Sequence, residues 1–452
     1  MIRTPPSQTR LPGGTLRPRH IALTALGGVA VIAGISAVPA LADHAAPAQD
    51  DGEAVTATLE TPPLFDADDA DADDPAIWIH PEDDDESLVI TTAKEAGMNV
   101  YDLDGELVQH IEPRPAPSDE DNPGRYNNVD IVTGFELGGE AIDLAVASDR
   151  GMDTLGLWTI DPDSGELTDV SDPASVPIFS ESQEDINEAH TAYGLTTWAD
   201  DSGAYALVSR NAETQVALLK LVAGEDGIVG YETVRVLELP GEFTLPDGSS
   251  WAPCADPGEY AQFEGMVVDD ETGIAYLGQE DVGIWRVGAD LTGEAELVDT
   301  AVEFGLPGEF DPEEDDCVYG ENPGVGGDVL HTDVEGLTIY EGKSESFLLA
   351  SSQGDDTFAV YSTDEGNEYL GSFAVGDGDA TDSTQQSDGA DVVSTGLGDF
   401  EDGLLVVQDG DNTPEGSDES STNFKFVDWE DVVNGSGIGE LAAGGRHSNH
   451  HR

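Results

Sequence analysis

The chain has 452 residues, with 95 acidic against 16 basic side chains and a formal net charge of −79. That length suits one large repeat domain or two ordinary ones. A field of this sign excludes nucleic acid as a default partner and disfavours anionic membranes, and it leaves an anionic substrate dependent on bound cations or local basic residues.

The first segment, residues 1–42, reads as a signal peptide. Arg3, Arg10, Arg17 and Arg19 precede an apolar, Ala/Gly-rich run from Ile21 to Val38, and Ala40-Leu41-Ala42 supplies a small-x-small cleavage site. A retained transmembrane anchor is the alternative, because the run is nearly long enough to span a bilayer. Without a twin-Arg pair, the general secretory route is expected. Cleavage removes four arginines and no acid, leaving a more acidic, secreted, extracellular chain with no membrane attachment, expected to be a monomer. Only four lysines occur (Lys94, Lys220, Lys343 and Lys425), consistent with a surface kept soluble by Asp and Glu and, in part, adapted to salt.

Residues 43–72 are Ala/Asp-rich with little periodicity and read as a linker or an edge-covering arm. From Asp73 to Val433 short apolar runs follow one another: Leu88 to Thr92, Ile142 to Ser148, Ala204 to Ser209, Ile274 to Gly278, Phe347 to Ser352 and Gly403 to Gln408. Most are continuous and rich in β-branched residues, as strands buried on both faces are. Turn signals such as Asp104-Gly105, Asp226-Gly227 and Asp270-Glu271-Thr272-Gly273 separate them, and no long amphipathic helix is evident. The tail, 434–452, is Gly-rich and ends in a His cluster; it reads as disordered.

Within 73–433 a unit recurs six times. Its heads are Asp73-Asp74-Pro75, Asn128-Val129-Asp130, Tyr193-Gly194, Glu264-Gly265, Glu335-Gly336 and Asp388-Gly389. Its second run breaks off at Ala93-Lys94, Asp149-Arg150, Arg210-Asn211, Glu280-Asp281, Gln353-Gly354 and Asp409-Gly410. Units of roughly 60 residues predict an all-β, six-bladed β-propeller with about four antiparallel strands per blade around a central channel. A two-sheet sandwich is the runner-up, but it leaves the recurrence unexplained. In a propeller, heads and breaks gather at one mouth of the channel.

That mouth would hold Asp73, Asp74, Asp130, Glu264, Glu280, Asp333, Glu335, Asp388 and Asp409, with Gln353 and Tyr193, against the cations Lys94, Arg150 and Arg210. Singly, each acid reads more readily as a solvated loop carboxylate; the repeated position carries the case. So many carboxylates need counter-ions, and an all-oxygen donor set points to Ca²⁺ rather than Zn²⁺. Such ions beside Lys and Arg form a site for phosphate and for phosphate-ester hydrolysis. No phosphate-cradling Gly-rich loop and no Ser-His-Asp or Cys-His arrangement points elsewhere. Cys254 and Cys317 each lie in an irregular insert and, in an exported chain, read as a disulfide between two loops; two unpaired thiols are the alternative.

Asp73-Asp74-Pro75-Ala76-Ile77-Trp78, Thr91-Thr92-Ala93-Lys94, Asn127-Asn128-Val129-Asp130-Ile131, Glu264-Gly265-Met266, Asp333 to Tyr340, Leu348 to Gly354 and Gln408-Asp409-Gly410 together resemble the β-propeller phytases. The resemblance runs from about Glu60 to Val433, in order and through every blade. It implies hydrolysis of calcium-complexed phytate, a small-molecule substrate, by a calcium-activated water. Lys94, Arg150 and Tyr193 match residues holding the scissile phosphate. Asp73, Tyr193, Glu264, Glu280, Asp333, Glu335 and Asp388 match ligands of the active-site calcium ions. Asp74, the Val129 carbonyl, Gln353, Asp382, Asp411 and Asn412 match positions that bind calcium structurally or support the site.

The sequence departs from the pattern in three places. Arg210-Asn211 stands where the family commonly has Lys-Glu, keeping a phosphate-binding charge and losing a carboxylate. Glu95 stands where a second lysine would follow Lys94, and the two Cys-bearing inserts are additions. The competing readings are a non-catalytic, calcium-stabilised propeller binding a phosphorylated or extracellular partner, and a single-metal propeller hydrolase of lactones or sugars. The latter needs far fewer acids.

Overall fold

The computed structural model describes residues 55–436 and 438, apart from 66, 68–69, 313–315, 343–344 and 414–418. The signal-peptide segment, the start of the arm and residues 439–452 of the tail lie outside the described residues. Among the described residues no helix is long and apolar enough to cross a membrane.

Six antiparallel sheets form the six blades of a propeller. The strand of each blade nearest the axis is, in order, Pro75–Trp78, Tyr126–Leu137, Ala192–Asp200, Phe263–Asp269, Val334–Tyr340 and Ala390–Val393. Each packs against the equivalent strands of both neighbours, and the sixth packs against the first, so the ring closes. The second strands end where the sequence breaks, for example Leu88–Thr92 before Ala93-Lys94 and Gly203–Arg210 before Asn211. Leu88–Thr92 and Phe347–Ser352 are buried along their whole length, which is why they carry no alternation.

The glycines after four of the heads have a steric cause. A Cβ on Gly194 would lie 2.0 Å from the carbonyl oxygen of Glu264, and one on Gly265 would lie 2.2 Å from that of Glu335. The innermost strands therefore approach main chain to main chain, and each glycine admits the head residue of the next blade.

Closure uses the arm. Leu59–Glu60 and Leu64–Phe65 pair antiparallel with Ser421–Asp428, supplying the outer strand of blade 6, and Val55–Thr56 pairs in parallel with Val375–Gly376. Among the described residues, strands of the sheets thus lie as early as Val55, ahead of the Asp73 boundary drawn from the sequence. At the other end, Asn434 to Ser436 continue a helix, Trp429–Ser436, and Ile438 is buried in the core of blades 5 and 6, so structure extends past Val433. Trp429 stacks on Tyr340 with ring centroids 3.9 Å apart. A second short helix, Gln183–Asn187, sits between blades 2 and 3.

Three carboxylates facing the channel join neighbouring blades. Asp74 Oδ2 accepts from the Val129 N–H (3.0 Å), Asp130 Oδ2 from Thr197 N–H (2.6 Å), and Asp391 Oδ2 from Ile77 N–H (2.8 Å). Asp130 therefore serves the channel wall rather than the mouth.

Candidate active site

Blades 4 and 5 bring one oxygen each of Glu264, Glu280 and Glu335 within 4.8 Å of one another. Glu264 and Glu335 head innermost strands, and Glu280 directly follows the second strand of blade 4, Ile274–Gln279. All three are buried, 4–8 % exposed. Burial pushes their carboxyls above the ordinary range; mutual repulsion adds to it for Glu280 and Glu335, each of which faces Glu264. Asp333 adds its field to Glu280 and Glu335. Glu335 Oε2 has no hydrogen-bond partner.

Glu264 is held from two sides. Its Oε1 accepts from Asn127 Nδ2 at 2.6 Å, and its Oε2 accepts from the Tyr193 hydroxyl. Burial and the surrounding glutamates raise the Tyr193 pKa well above its usual value, so the hydroxyl keeps its proton and donates. Asn127 is the hub of this wall. It also donates to Asp73 Oδ1 (3.4 Å) and accepts from Arg150 Nη1 (3.0 Å), and the Arg150 guanidinium lies 4.7 Å from the centre of the Tyr193 ring. Burial and the neighbouring Arg125 lower the Arg150 pKa, yet the group stays a cation.

Lys94 closes the site on the blade 1 side. Its Nζ lies 2.9 Å from Asp71, 3.1 Å from Asp73 and 3.2 Å from Asp388. Burial disfavours its charge, but Asp388, Asp73 and Asp71 outweigh that and raise its pKa. Asp73 and Asp388 are themselves pushed up to about 7, chiefly by burial. Gln353 Nε2 donates to Asp388 Oδ1 at 2.7 Å.

Some residues read from the sequence fall elsewhere. Arg210 donates to the His190 carbonyl (2.9 Å) and to Gln215 Oε1 (3.2 Å), and faces the Phe179 ring. Asp74 and Val129 bond to each other in the channel wall. Asp382 lies in a separate cluster around Lys425, whose buried ammonium also meets Glu60 (2.7 Å) and Asp409 (3.0 Å). The other Asp382 oxygen accepts from Thr413 N–H and Oγ1. Asn412 bonds Ser421 and Asn423, and exposed Asp411 precedes it in the strand Leu404–Asn412. An ammonium at the centre of Glu60, Asp382 and Asp409 does not fit a metal ion in the same place. Asn127, Asp71 and Lys425 are the residues that sequence reasoning left unassigned. Asn127 was visible only as part of a motif, and Lys425 only as a rare lysine in an apolar strand.

The inserts that lead into Glu264 and Asp333 are joined by the disulfide Cys254–Cys317. Trp251 and Phe304 (centroids 4.6 Å apart) and Phe243 form an aromatic core between them, and Trp251 Nε1 donates to the Leu306 carbonyl at 2.8 Å.

The family model described as Phytase matches residues 19–244 and 258–441. The chain belongs to the phytase family. Membership makes it a phosphoric monoester hydrolase. A 3-phytase of Bacillus subtilis (strain 168) is 34% identical over 386 residues, covering 84% of this chain and 84% of the relative. Among solved structures, a luciferin-regenerating enzyme aligns with a TM-score of 0.42 at 12% identity, over 85% of this phytase and 98% of that chain. Regucalcin, a calcium-binding protein from Agrobacterium tumefaciens str. C58, aligns at 0.41 and 12% identity, over 83% and 96%. Neither likeness is close enough to bear on the site.

Proposed function

We propose that this phytase is a secreted, monomeric, calcium-dependent enzyme that releases phosphate from calcium-complexed phytate. The observation that carries the reading is the buried glutamate triad with an unpartnered Glu335 oxygen. Three such carboxylates cannot all ionise in a desolvated wall without a counter-ion. The donors are all oxygen, and Asp73, Asp333, Asp388 and Tyr193 lie ready to extend the set, which suits calcium with its six to eight ligands. Bound there, calcium would neutralise the carboxylates, polarise phosphoryl oxygens and lower the pKa of an attacking water.

The chain's own groups bind and orient. Arg150 is a buried, delocalised cation of the kind that grips phosphate in two places, and Asn127 and Tyr193 fix its position. Lys94 offers a second cation across the site. Tyr193 stays a neutral donor and holds Glu264 in one orientation. Asp74, the Val129 carbonyl and Gln353 are proposed to support further calcium for stability. The signal-peptide pattern and the disulfide both suit an exported chain.

The test is phosphate release from phytate with and without calcium, for the parent and for Glu264→Ala. Release is expected only with calcium and only from the parent. A parent that releases no phosphate from calcium phytate at any pH from mildly acidic to alkaline would refute the reading.

A further inference from the structure

A hydrogen-bonded chain of amides ends on the glutamate triad. Gln262 stands just before the innermost strand of blade 4, at the end of the first Cys-bearing insert. Its Oε1 accepts from the Ala212 backbone N–H at 2.6 Å and from Asn211 Nδ2 at 2.8 Å. Its Nε2 donates to Glu280 Oε1 at 2.8 Å. The polarity of this chain is set by the backbone. A glutamine amide can be turned either way, but a main-chain N–H can only donate. Oε1 must therefore face Ala212, and the NH₂ end must face Glu280.

The consequence falls on Glu280. A donor directed at a carboxylate oxygen fixes the plane of the group. One oxygen of Glu280 is tied to the Gln262 amide, which leaves the other to meet its neighbours. Asn211 is the residue that stands where the phytase pattern commonly has an acid. An acid there could not donate to Gln262 Oε1 when ionised. The amide thus turns a lost negative charge into a support for a remaining one.

We propose that Asn211 and Gln262 are positioning residues that fix the orientation of Glu280 as a ligand for the cation bound by Glu264, Glu280 and Glu335. The proposal rests on reading that triad as a cation site. Both residues are argued to act through Glu280, so the test reads cation affinity rather than turnover.

The measurement is terbium(III) binding to the full-length protein, followed by tyrosine-sensitised emission, in the parent, Gln262→Ala, Asn211→Asp and Glu280→Ala. Melting in EDTA is recorded for each. Loss of a group that orients a metal ligand costs about 10–100-fold in affinity. Gln262→Ala and Asn211→Asp are expected to bind terbium at least about tenfold more weakly than the parent, with an unchanged melting temperature in EDTA. Phosphate release by both should need more calcium and reach the parental kcat once calcium saturates. Parental terbium affinity in both variants, with affinity lost in Glu280→Ala, would overturn the relay and leave the triad standing. Parental affinity in Glu280→Ala would instead remove the triad reading itself. Weaker binding accompanied in both variants by a lower EDTA melting temperature would mark a merely structural role and also overturn the proposal.

Discussion

Lys425→Met is the most informative change to the fold. The Lys425 side chain is fully buried and lies opposite Glu60 in the strand pair that closes the ring. Its ammonium meets Glu60, Asp382 and Asp409, and Asp409 is fully buried as well. Methionine keeps the length and the apolar stem and removes only the charge. Stranding a buried partner in this way costs about 3–5 kcal/mol. With an unfolding entropy of about 2.1 cal/mol/K per residue over roughly 380 residues, that corresponds to a Tm lower by about 4–6 °C.

The pH dependence gives a second handle on the same variant. Burial holds Asp409 up to about 6 even beside Lys425, whereas Lys425 and Thr413 overcome burial and hold Asp382 down to about 2. Without the ammonium, the folded-state pKa of each carboxyl rises. The folded variant then binds more protons than its unfolded chain, so its stability falls as pH rises. The deficit relative to the parent should therefore be larger at pH 8 than at pH 5. Thermal melts in EDTA at both pH values measure it. Millimolar calcium should recover part of the loss, because a divalent ion can take the vacated centre. A parental midpoint at pH 8 would refute the claim that this ammonium anchors the closing strands.

Two further outcomes follow from the site and its rim. In calcium-free buffer, Asp73 and Asp388 are held near 7 against an unfolded value of 3.8, so the folded state carries extra protons between about pH 4 and 7. Stability in EDTA should fall across that window, by at most about 1.4 kcal/mol per pH unit for each group, and calcium should flatten the curve; a midpoint that rises with pH in EDTA would contradict this. Reducing Cys254–Cys317 opens a loop with a sequence separation of 63, a loss of at most about 4 kcal/mol. A melt in reductant should shift down by up to about 5 °C, and an unchanged melt would show that the aromatic core alone holds the inserts.

The blades were legible because their cause is local. Runs such as Leu88 to Thr92 are apolar throughout because both faces are covered, and the glycine after Tyr193, Glu264, Glu335 and Asp388 marks a main chain that must touch the next strand. The same logic exposed Glu264 and Glu335 as heads facing the axis. Ring closure was less legible. Strands as short as Leu59–Glu60 and Leu64–Phe65 carry no periodicity, and only their distant partner, Ser421–Asp428, gives them shape. Arg210 shows the limit at the site. It ends the second strand of blade 3 as Asp149 ends that of blade 2, and its guanidinium takes partners, the Phe179 ring and the His190 carbonyl, from the segment between blades 2 and 3 that no repeat pattern announces.

Where 95 acids face 16 bases, the placement of each buried cation separates roles that look equivalent in the repeat. Lys94 is surrounded by Asp71, Asp73 and Asp388, and its charge is already matched by carboxylates. Arg150 makes no ion pair with a carboxylate among the described residues; its neighbours are the Asn127 amide and the Tyr193 ring. A phosphate reaching Lys94 must compete with three acids, whereas one reaching Arg150 meets a positive charge that lacks a carboxylate partner. A cation taken up by Asp73 and Asp388 would loosen their hold on Lys94 and turn it toward the substrate. Phosphate affinity lent by Lys94 is expected to depend on calcium and that lent by Arg150 is not, which phosphate binding to Lys94→Ala and Arg150→Ala with and without calcium measures.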